Sequence, residues 1–399
     1  GLSEDERRRL SATAAELRRA VDERRTWTFD DGDIAMKHAV ISKLIEAIEA
    51  AQAEGGSIAR MRWRLQEANT LRARSVDAHA EAWQAAAEAV RTAPAYAAAV
   101  AAGLVLVPQT GLVPLGADPL SGLQEFAVLQ TGAPPSRKED GTLAITEDSA
   151  LVLVLLPGGA FKMGAAANGD ANVDPAALDH EAPVHEVALA PFFLAKHEMT
   201  QAQWQRWTGQ NPSYYFAGRL VGDRQRITPL NPVETITWYE AEEVLRQLGL
   251  ELPTEAQWEY AARGGGSSIW IGGDTVADLR GRANFAAADS PPDWMPDRTF
   301  ADGFLVHAPI EAVAGNGYGL HHMLGNVSEW CRDPYGSYSN PVRGGDGLRV
   351  IQPGLPRVHR GGSYRSSPDK IRITARADDP ADARSESRGV RPARRLELP

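Results

Sequence analysis

The residue types that most often carry out enzymatic chemistry are sparse in this chain of 399 residues. Its single cysteine, Cys331, excludes an internal disulfide framework and a cysteine-based zinc cluster. His180 and His185 are five residues apart in an acidic stretch, whereas His321 and His322 are adjacent and would point to opposite faces of a strand. No Gly-x-Ser-x-Gly sequence marks a serine nucleophile. These residues predict no catalytic centre.

Three short sequence patterns identify the helices that must support any site. Thr200, Thr237 and Thr254 are each followed three residues later by Gln or Glu, which is the capping box of a helix start. Around them lie strand-length apolar runs such as Leu151–Leu156 and, between 264 and 360, long loops rich in Gly and Pro. Loops of that length are usually functional or held by a bound ion. We therefore expect short helices packed on a β core with ordered loops.

The pattern of apolar and turn-forming residues changes twice along the sequence, which predicts three regions. Residues 1–102 show apolar positions at helical spacing and predict a helical bundle or coiled-coil spacer, through which the chain would form a homo-oligomer. Residues 103–149 alternate short apolar runs with turn residues and predict a β-rich connector. Residues 150–399 then form the main domain, of mixed α+β composition.

A set of motifs in a fixed order identifies a resemblance over residues 150–395. The motifs are LVLLPGGAFKMGA (153–165), HEVALAPFFLAKHEMTQAQWQRWTG (185–209), NPVETITWYEAEEVLRQLG (231–249), LPTEAQWEYAARGG (252–265), NGYGLHHMLGNVSEWCRD (316–333), RVHRGGSYRSSPDKIRITAR (357–376) and RGVRPAR (388–394). Together they resemble the formylglycine-generating, or sulfatase-modifying factor, family. The resemblance implies a C-type-lectin-like α+β fold with little regular secondary structure.

Two upstream segments, RRTWTFDD (24–31) and 111–132, are similar to the region that joins a kinase to this module in certain bacterial Ser/Thr kinases. The chain contains no glycine-rich kinase loop with its lysine, no His-Arg-Asp and no Asp-Phe-Gly sequence. One interpretation is therefore the sensor or regulatory region of such a kinase, or a relative of that region that acts alone.

The resemblance also defines the chemistry that this chain lacks. Oxidase members of the family bind copper through two cysteines just after the Gly-Gly-Ser motif, but residues 364–370 read Tyr-Arg-Ser-Ser-Pro-Asp-Lys. Hydroxyl groups do not replace thiolates as ligands of cuprous copper. Another branch uses a His-x-x-x-His-x-Glu iron site, which is absent from the helical region. We expect neither copper nor enzymatic activity; an unrecognised metal-dependent site is the alternative.

Structural calcium is the cofactor that the resemblance implies. One family site corresponds here to Asn284, Phe285, Asp302 and Phe304. A second corresponds to Gly325, Val327 and Glu329, with His322 where the family has an asparagine. Side-chain and carbonyl oxygens of this kind suit calcium. The first set would hold the loop between 264 and 310.

Without its cysteines, the face formed by residues 360–391 becomes the candidate surface for a protein or peptide ligand. Most of its arginines and acids would form ion pairs that hold the loops. The small polar residues between them resemble the variable region (364–388) of retroelement-diversified lectin-like proteins, which is an alternative function. The predicted ligand-binding residues are Trp330, Tyr335, Tyr338, Tyr364, Arg365, Ser366, Ser367, Asp369, Lys370, Ser385, Glu386 and Ser387.

Overall charge and hydropathy limit which other classes of partner, such as nucleic acid or a membrane, the chain could bind. A net charge of −10 argues against a general nucleic-acid-binding surface. No apolar run reaches the roughly 20 residues of a membrane-spanning helix, and GLSEDERRRL at the start is unlike a signal peptide. We expect no membrane insertion, and a cytoplasmic location is favoured.

Overall fold

The computed structural model describes residues 4–23, 32–53, 56–169, 171–288, 290–291, 299–352 and 354–398. The segment 24–31, which carries part of the kinase-linker resemblance, lies outside these residues. The chain divides into two compact units, Gly1–Glu67 and Ala68–Pro399. The helices are α1 (Glu4–Glu23), α2 (Gly32–Gln52), α3 (Ser57–Ser75), α4 (Ala80–Thr92), α5 (Ala97–Ala101), α6 (Gln201–Thr208), α7 (Trp238–Gln247) and α8 (Glu255–Arg263).

Thirteen short strands among the described residues form four sheets. The strands are β1 (Leu112–Ala117), β2 (Gln124–Val128), β3 (Leu151–Leu156), β4 (Gly159–Met163), β5 (His185–Leu189), β6 (Phe192–Ala195), β7 (Leu220–Val221), β8 (Gln225–Arg226), β9 (Ser328–Pro334), β10 (Arg357–Arg360), β11 (Arg376–Asp379), β12 (Arg388–Gly389) and β13 (Ala393–Arg395). The larger sheets have the orders β1-β2-β3-β6-β13 and β11-β10-β9-β12. Pairs β4-β5 and β7-β8 complete the set.

The apolar core is centred on β3, in the middle of the five-stranded sheet. All six side chains of Leu151–Leu156 are buried, and the strand is antiparallel to both β2 and β6. A continuous apolar run is what a strand covered on both faces requires. Tyr96, just before α5, donates its hydroxyl proton to the carbonyl of Leu155 at 2.8 Å. The helices after Ala68 therefore pack on this sheet.

Residues 103–149, which the sequence assigns to a connector, supply β1 and β2 to the same sheet as β3 and β6. A buried ion-pair cluster reinforces this junction: Lys196 Nζ lies 2.9 Å from Asp118 and 2.7 Å from Glu125. Arg137 adds a contact of 2.8 Å to Glu125. The two compact units meet between Glu67 and Ala68.

The three predicted capping boxes are confirmed. The hydroxyls of Thr200, Thr237 and Thr254 accept from the backbone N–H three residues later, and the Gln or Glu at that position contacts the capping residue in return. All residues 255–262 of α8 are buried, including Glu255 and Glu259. Because α8 packs against β9 and β10, these two carboxylates lie beneath the four-stranded sheet.

The first unit consists of α1, α2 and the beginning of α3, as the helical prediction for this region requires. None of the residues of α2 is buried. None of the described helices is both long and apolar enough to cross a membrane.

Candidate ligand-binding pocket

A pocket of about 390 Å³ opens beside the loop that follows β10. Its lining comes from β10 and β11, from the loop 362–375, and from residues 178–181, which are distant in sequence. Four of the predicted ligand-binding residues lie on it: Ser366, Asp369, Lys370 and Ser387. The face predicted from residues 360–391 therefore contains a concave site.

Two glycines shape the loop at the start of this pocket. Gly361 has φ +90° and Gly362 has φ +63°, a region that side chains other than glycine rarely adopt. A Cβ on Gly362 would lie 2.5 Å from Cγ2 of Ile371 and 2.9 Å from the carbonyl oxygen of Lys370. The Gly-Gly pair thus brings the loop 366–371 close to its own beginning.

The floor of the pocket is a buried network of ion pairs. Arg360 contacts Glu255 at 2.8 Å and Glu259 at 2.9 Å, and Arg376 contacts Glu255 at 2.6 Å. Burial opposes ionisation of Glu255, but the charges of Arg376 and Arg360 outweigh it and lower its pKa to about 2. Because buried carboxylates already neutralise these guanidinium groups, the floor stabilises the fold and does not offer a free positive charge to an anion.

One wall joins the loop after β10 to the distant 174–181 segment. Arg372 contacts Asp174 at 2.5 Å, and it contacts Glu181 at 2.5 and 2.8 Å. The hydroxyl of Thr374 donates to Glu181 at 2.7 Å. These side chains are buried, so this wall too consists of charges that are already paired.

The polar groups on the lining that lie outside these buried ion pairs are hydroxyls, imidazoles and one exposed ion pair at the rim. Ser363, Ser366 and Ser387 line the pocket. Burial lowers the pKa of His359, and its Nε2 atom lies 3.3 Å from a carboxylate oxygen of Asp379. Lys370 Nζ lies 3.5 Å from Asp369, and both side chains are exposed. Such groups recognise polar parts of a ligand by hydrogen bonding.

Burial corrects the prediction for three aromatic residues. Trp330, Tyr338 and Tyr364 are at most 3% exposed, so their rings offer no surface to a partner. Trp330 donates its indole N–H to the carbonyl of Ile236 at 3.2 Å, and the Tyr338 hydroxyl contacts Glu255 at 3.2 Å. The polar ends of these rings hydrogen-bond inside the protein, and the rings support the pocket from below.

The other predicted residues lie near the pocket but do not line it. Arg365 pairs with Glu386. The hydroxyl of Ser367 donates to Asp369, and the hydroxyls of Ser385 and Ser387 are 2.9 Å apart. Tyr335 is half-buried, and the Arg376 guanidinium stacks over its ring at 4.6 Å.

Cys331 cannot supply the missing thiolate. The side chain is fully buried, and burial raises the pKa of its thiol well above the usual value. It lies in β9, and none of the described residues that line the pocket is a cysteine. A reactive thiol is normally accessible and acidic, and Cys331 is neither.

Residues 143–396 match the sulfatase-modifying factor enzyme 1-like domain. This match covers more than half of the chain. The chain belongs to the sulfatase-modifying factor family. Membership confirms the expected fold class, a formylglycine-generating-enzyme-like α+β domain preceded by a helical region.

Relatives in this family include enzymes and parts of kinases. A formylglycine-generating enzyme of Streptomyces coelicolor is 32% identical over 293 residues, which cover 61% of this chain and 90% of that protein. The Serine/threonine-protein kinase pkn1 of Chlamydia pneumoniae is 31% identical, over 61% of this chain but only 38% of its own length. The structure of PvdO from Pseudomonas aeruginosa superposes with a TM-score of 0.50 and 22% identity, covering 62% of this chain and 95% of PvdO.

The first calcium set of the family fits the residues present here. Asn284 is buried and donates to Val306 and Asn326, but its Oδ1 atom has no hydrogen-bond partner among the described residues. Asp302 accepts the backbone N–H groups of Phe285, the residue after Asn284, and of Phe304, at 2.9 and 3.0 Å. A buried side-chain oxygen without a hydrogen-bond donor suits a hard cation.

The second set does not fit a cation. Arg391 contacts both carboxylate oxygens of Glu329, at 2.7 to 2.9 Å, and the Trp258 indole N–H donates to Oε2 at 2.7 Å. His322 is buried, and its Nε2 lies 3.2 Å from the carbonyl oxygen of Pro309. Of this set, which also includes Gly325 and Val327, Glu329 supplies the carboxylate, and that carboxylate already neutralises an arginine.

Several pocket residues were missed from sequence. Leu178, His180 and Glu181 line the pocket together with His359. The 178–181 segment precedes the rest of the pocket by more than 140 residues, and no local pattern connects them. The acidic character of that stretch, opposite an arginine-rich C-terminal region, was the one available signal.

Proposed function

We propose that this chain is a non-catalytic binding module of the sulfatase-modifying factor family, which binds a protein or peptide through the pocket beside β10. The observation that supports it is the pocket's composition. Where the oxidase relatives place two cysteines, this chain presents serine hydroxyls and the exposed Asp369–Lys370 pair above ion pairs that are already complete. The pocket suits hydrogen bonding to an extended polar chain.

The charge distribution supports a peptide over a small anion. Arg360, Arg372 and Arg376 all line the pocket, but each is paired with buried carboxylates. Lys370 remains the exposed cation on the lining, with Asp369 next to it. A peptide that carries polar and charged side chains would satisfy both signs at the rim, whereas a simple anion would meet Asp369 as a repulsive neighbour.

The binding function is tested by selecting random displayed peptides on the purified chain and measuring their affinity for two charge-reversal variants. Lys370→Glu changes the rim, and Lys162→Glu is the matched control, because Lys162 is also exposed and paired, with Glu186 at 3.4 Å, away from the pocket. We expect selected peptides to lose about tenfold or more in affinity for Lys370→Glu alone. Peptides that bind both variants equally would place the binding surface elsewhere.

The proposed absence of catalytic activity is tested separately. The chain is incubated aerobically with copper and a cysteine-containing peptide, and the aldehyde product is sought by hydrazide capture and mass spectrometry. We expect no aldehyde above the protein-free control, because no accessible thiolate pair is available to hold cuprous copper. Formation of aldehyde with turnover would contradict the proposal and would indicate an unrecognised metal site.

A further inference from the structure

The helix α2 exposes an aliphatic stripe that has no partner in the described part of its unit. Ile34, Ile41, Leu44, Ile45 and Ile48 are 42% to 57% exposed. At 100° per residue they fall on one side of the helix, and Ile34, Ile41 and Ile48 repeat every seven residues. A helix in a folded protein is normally stabilised by packing such a face. This stripe is available to another molecule.

We propose that the α2 stripe pairs with the α2 stripe of a second copy of this chain, so that the protein is a homodimer through its N-terminal unit. The seven-residue repeat of isoleucine with Leu44 at the intervening position is the pattern of a two-stranded helical seam. A pair related by a two-fold axis places the same stripe on both sides, so both apolar surfaces are covered together.

Charge and area both favour a second copy as the occupant. Lys37, the one charged residue within the stripe, pairs with Asp33 at 2.5 Å on the same helix, which reduces repulsion between two copies. Five half-exposed aliphatic side chains present on the order of 400–500 Å² of apolar surface, which is as large as the largest apolar patch of a typical monomer. Two such stripes approach the roughly 1,000 Å² of a specific interface.

The opposite side of α2 provides a matched control. Met36 is 68% exposed and lies on the other side of the helix from Ile41, by the rotation of 100° per residue. Ile41→Glu would place a charge in the seam, whereas Met36→Glu would place the same charge in solvent. Because α2 has no buried residue, neither substitution removes a contact that the folded chain needs.

The mass of the full chain in solution, measured by light scattering during size-exclusion chromatography, tests the dimer. We expect twice the chain mass for the wild type and for Met36→Glu, and the mass of a single chain for Ile41→Glu, with the thermal melting of all three unchanged in its main transition. A wild type that is monomeric at its highest soluble concentration overturns the proposal. A dimer that persists in Ile41→Glu overturns it equally.

A cysteine cross-link gives a second readout that does not depend on a disruptive substitution. Residue 41 is next to the midpoint of Gly32–Gln52, so it meets its own copy whether the two helices run parallel or antiparallel. Cys331 is buried and does not compete. On mild oxidation we expect Ile41→Cys to form a disulfide-linked dimer and Met36→Cys to remain a single chain; equal cross-linking of both variants would contradict the seam.

Discussion

Arg372 donates to both carboxylate oxygens of Glu181, at 2.5 and 2.8 Å, although the two residues are 191 positions apart in the chain. This pair joins the loop after β10 to the segment that forms the opposite side of the pocket. Arg372→Met would leave Glu181 and Asp174 buried without a counter-charge. Removing one partner of a buried pair costs about 3–5 kcal/mol, and we expect a loss of that size in urea denaturation.

Arg384→Met is the control for this substitution. Arg384 pairs with Glu240 at 2.6 Å, but both side chains are more than 40% exposed. Exposed pairs contribute about 1 kcal/mol or less, so the denaturation midpoint should hardly move. If both variants lose the same stability, the Arg372–Glu181 pair does not hold the pocket wall.

Gly325 should not tolerate a side chain. Its φ is +77°, and a Cβ would lie 2.0 Å from the carbonyl oxygen of Asn284. Because that contact is with backbone, Gly325→Ala requires the two segments to separate, and we expect a destabilisation of at least about 2 kcal/mol. Gly344→Ala, where the new Cβ meets nothing within 4 Å, should be within about 0.5 kcal/mol of the wild type. Thermal melting of both variants decides between strain and a general effect of alanine.

Acid stability should depend on Glu255. Its pKa in the folded chain is lowered from 4.5 to about 2, so its ionised form stabilises the fold above about pH 4.5, and that stabilisation is lost as the pH falls towards 2. Glu255→Gln should be less stable than the wild type at pH 7 and should lose less stability than the wild type between pH 4.5 and 2. Denaturant titrations across this range measure the difference.

The exposed Glu186, which pairs with the exposed Lys162 at 3.4 Å, provides the comparison for acid stability. Glu186→Gln should follow the wild-type profile. A Glu255→Gln profile parallel to that of the wild type would show that other groups determine the acid transition.

Calcium should raise the melting temperature through Asn284 and Asp302. A ligand that binds only the folded state stabilises it in proportion to the logarithm of its concentration above Kd. We expect addition of millimolar calcium after treatment with a chelator to raise the transition of the wild type, and Asp302→Asn to remove most of that response. Magnesium at the same concentration is the control for ionic strength. A calcium response that is intact in Asp302→Asn would place the ion elsewhere.

Features encoded over a few residues were predictable from sequence. The capping boxes at Thr200, Thr237 and Thr254 need only a hydroxyl and a Gln or Glu three residues later, and each one begins a helix in the structure. The absence of cysteines after Gly362 can likewise be read from a few consecutive residues. The Gly-Gly-Ser motif marked the start of the pocket loop, and in the structure Gly361 and Gly362 adopt a backbone conformation that few other residues can adopt.

Features that depend on distant partners were not predictable in the same way. Tyr338 and Trp330 have polar ends, and the sequence does not show whether those ends meet water or a buried acceptor; here they meet Glu255 and the carbonyl of Ile236. The 178–181 wall of the pocket depends on the ion pairs of Arg372 with Asp174 and Glu181, which are distant in sequence. Long-range ion pairs leave no periodic signal in sequence.

The paired floor of the pocket separates the residues that keep the protein folded from those that would determine what it recognises. Arg360 and Glu255 are fully buried, whereas Asp369 and Lys370 above them are exposed. Substitutions at the rim should therefore carry little cost in stability, and under the proposed function they would change the ligand through a few surface side chains. Under the proposed function, specificity could therefore change in evolution while the backbone stays constant.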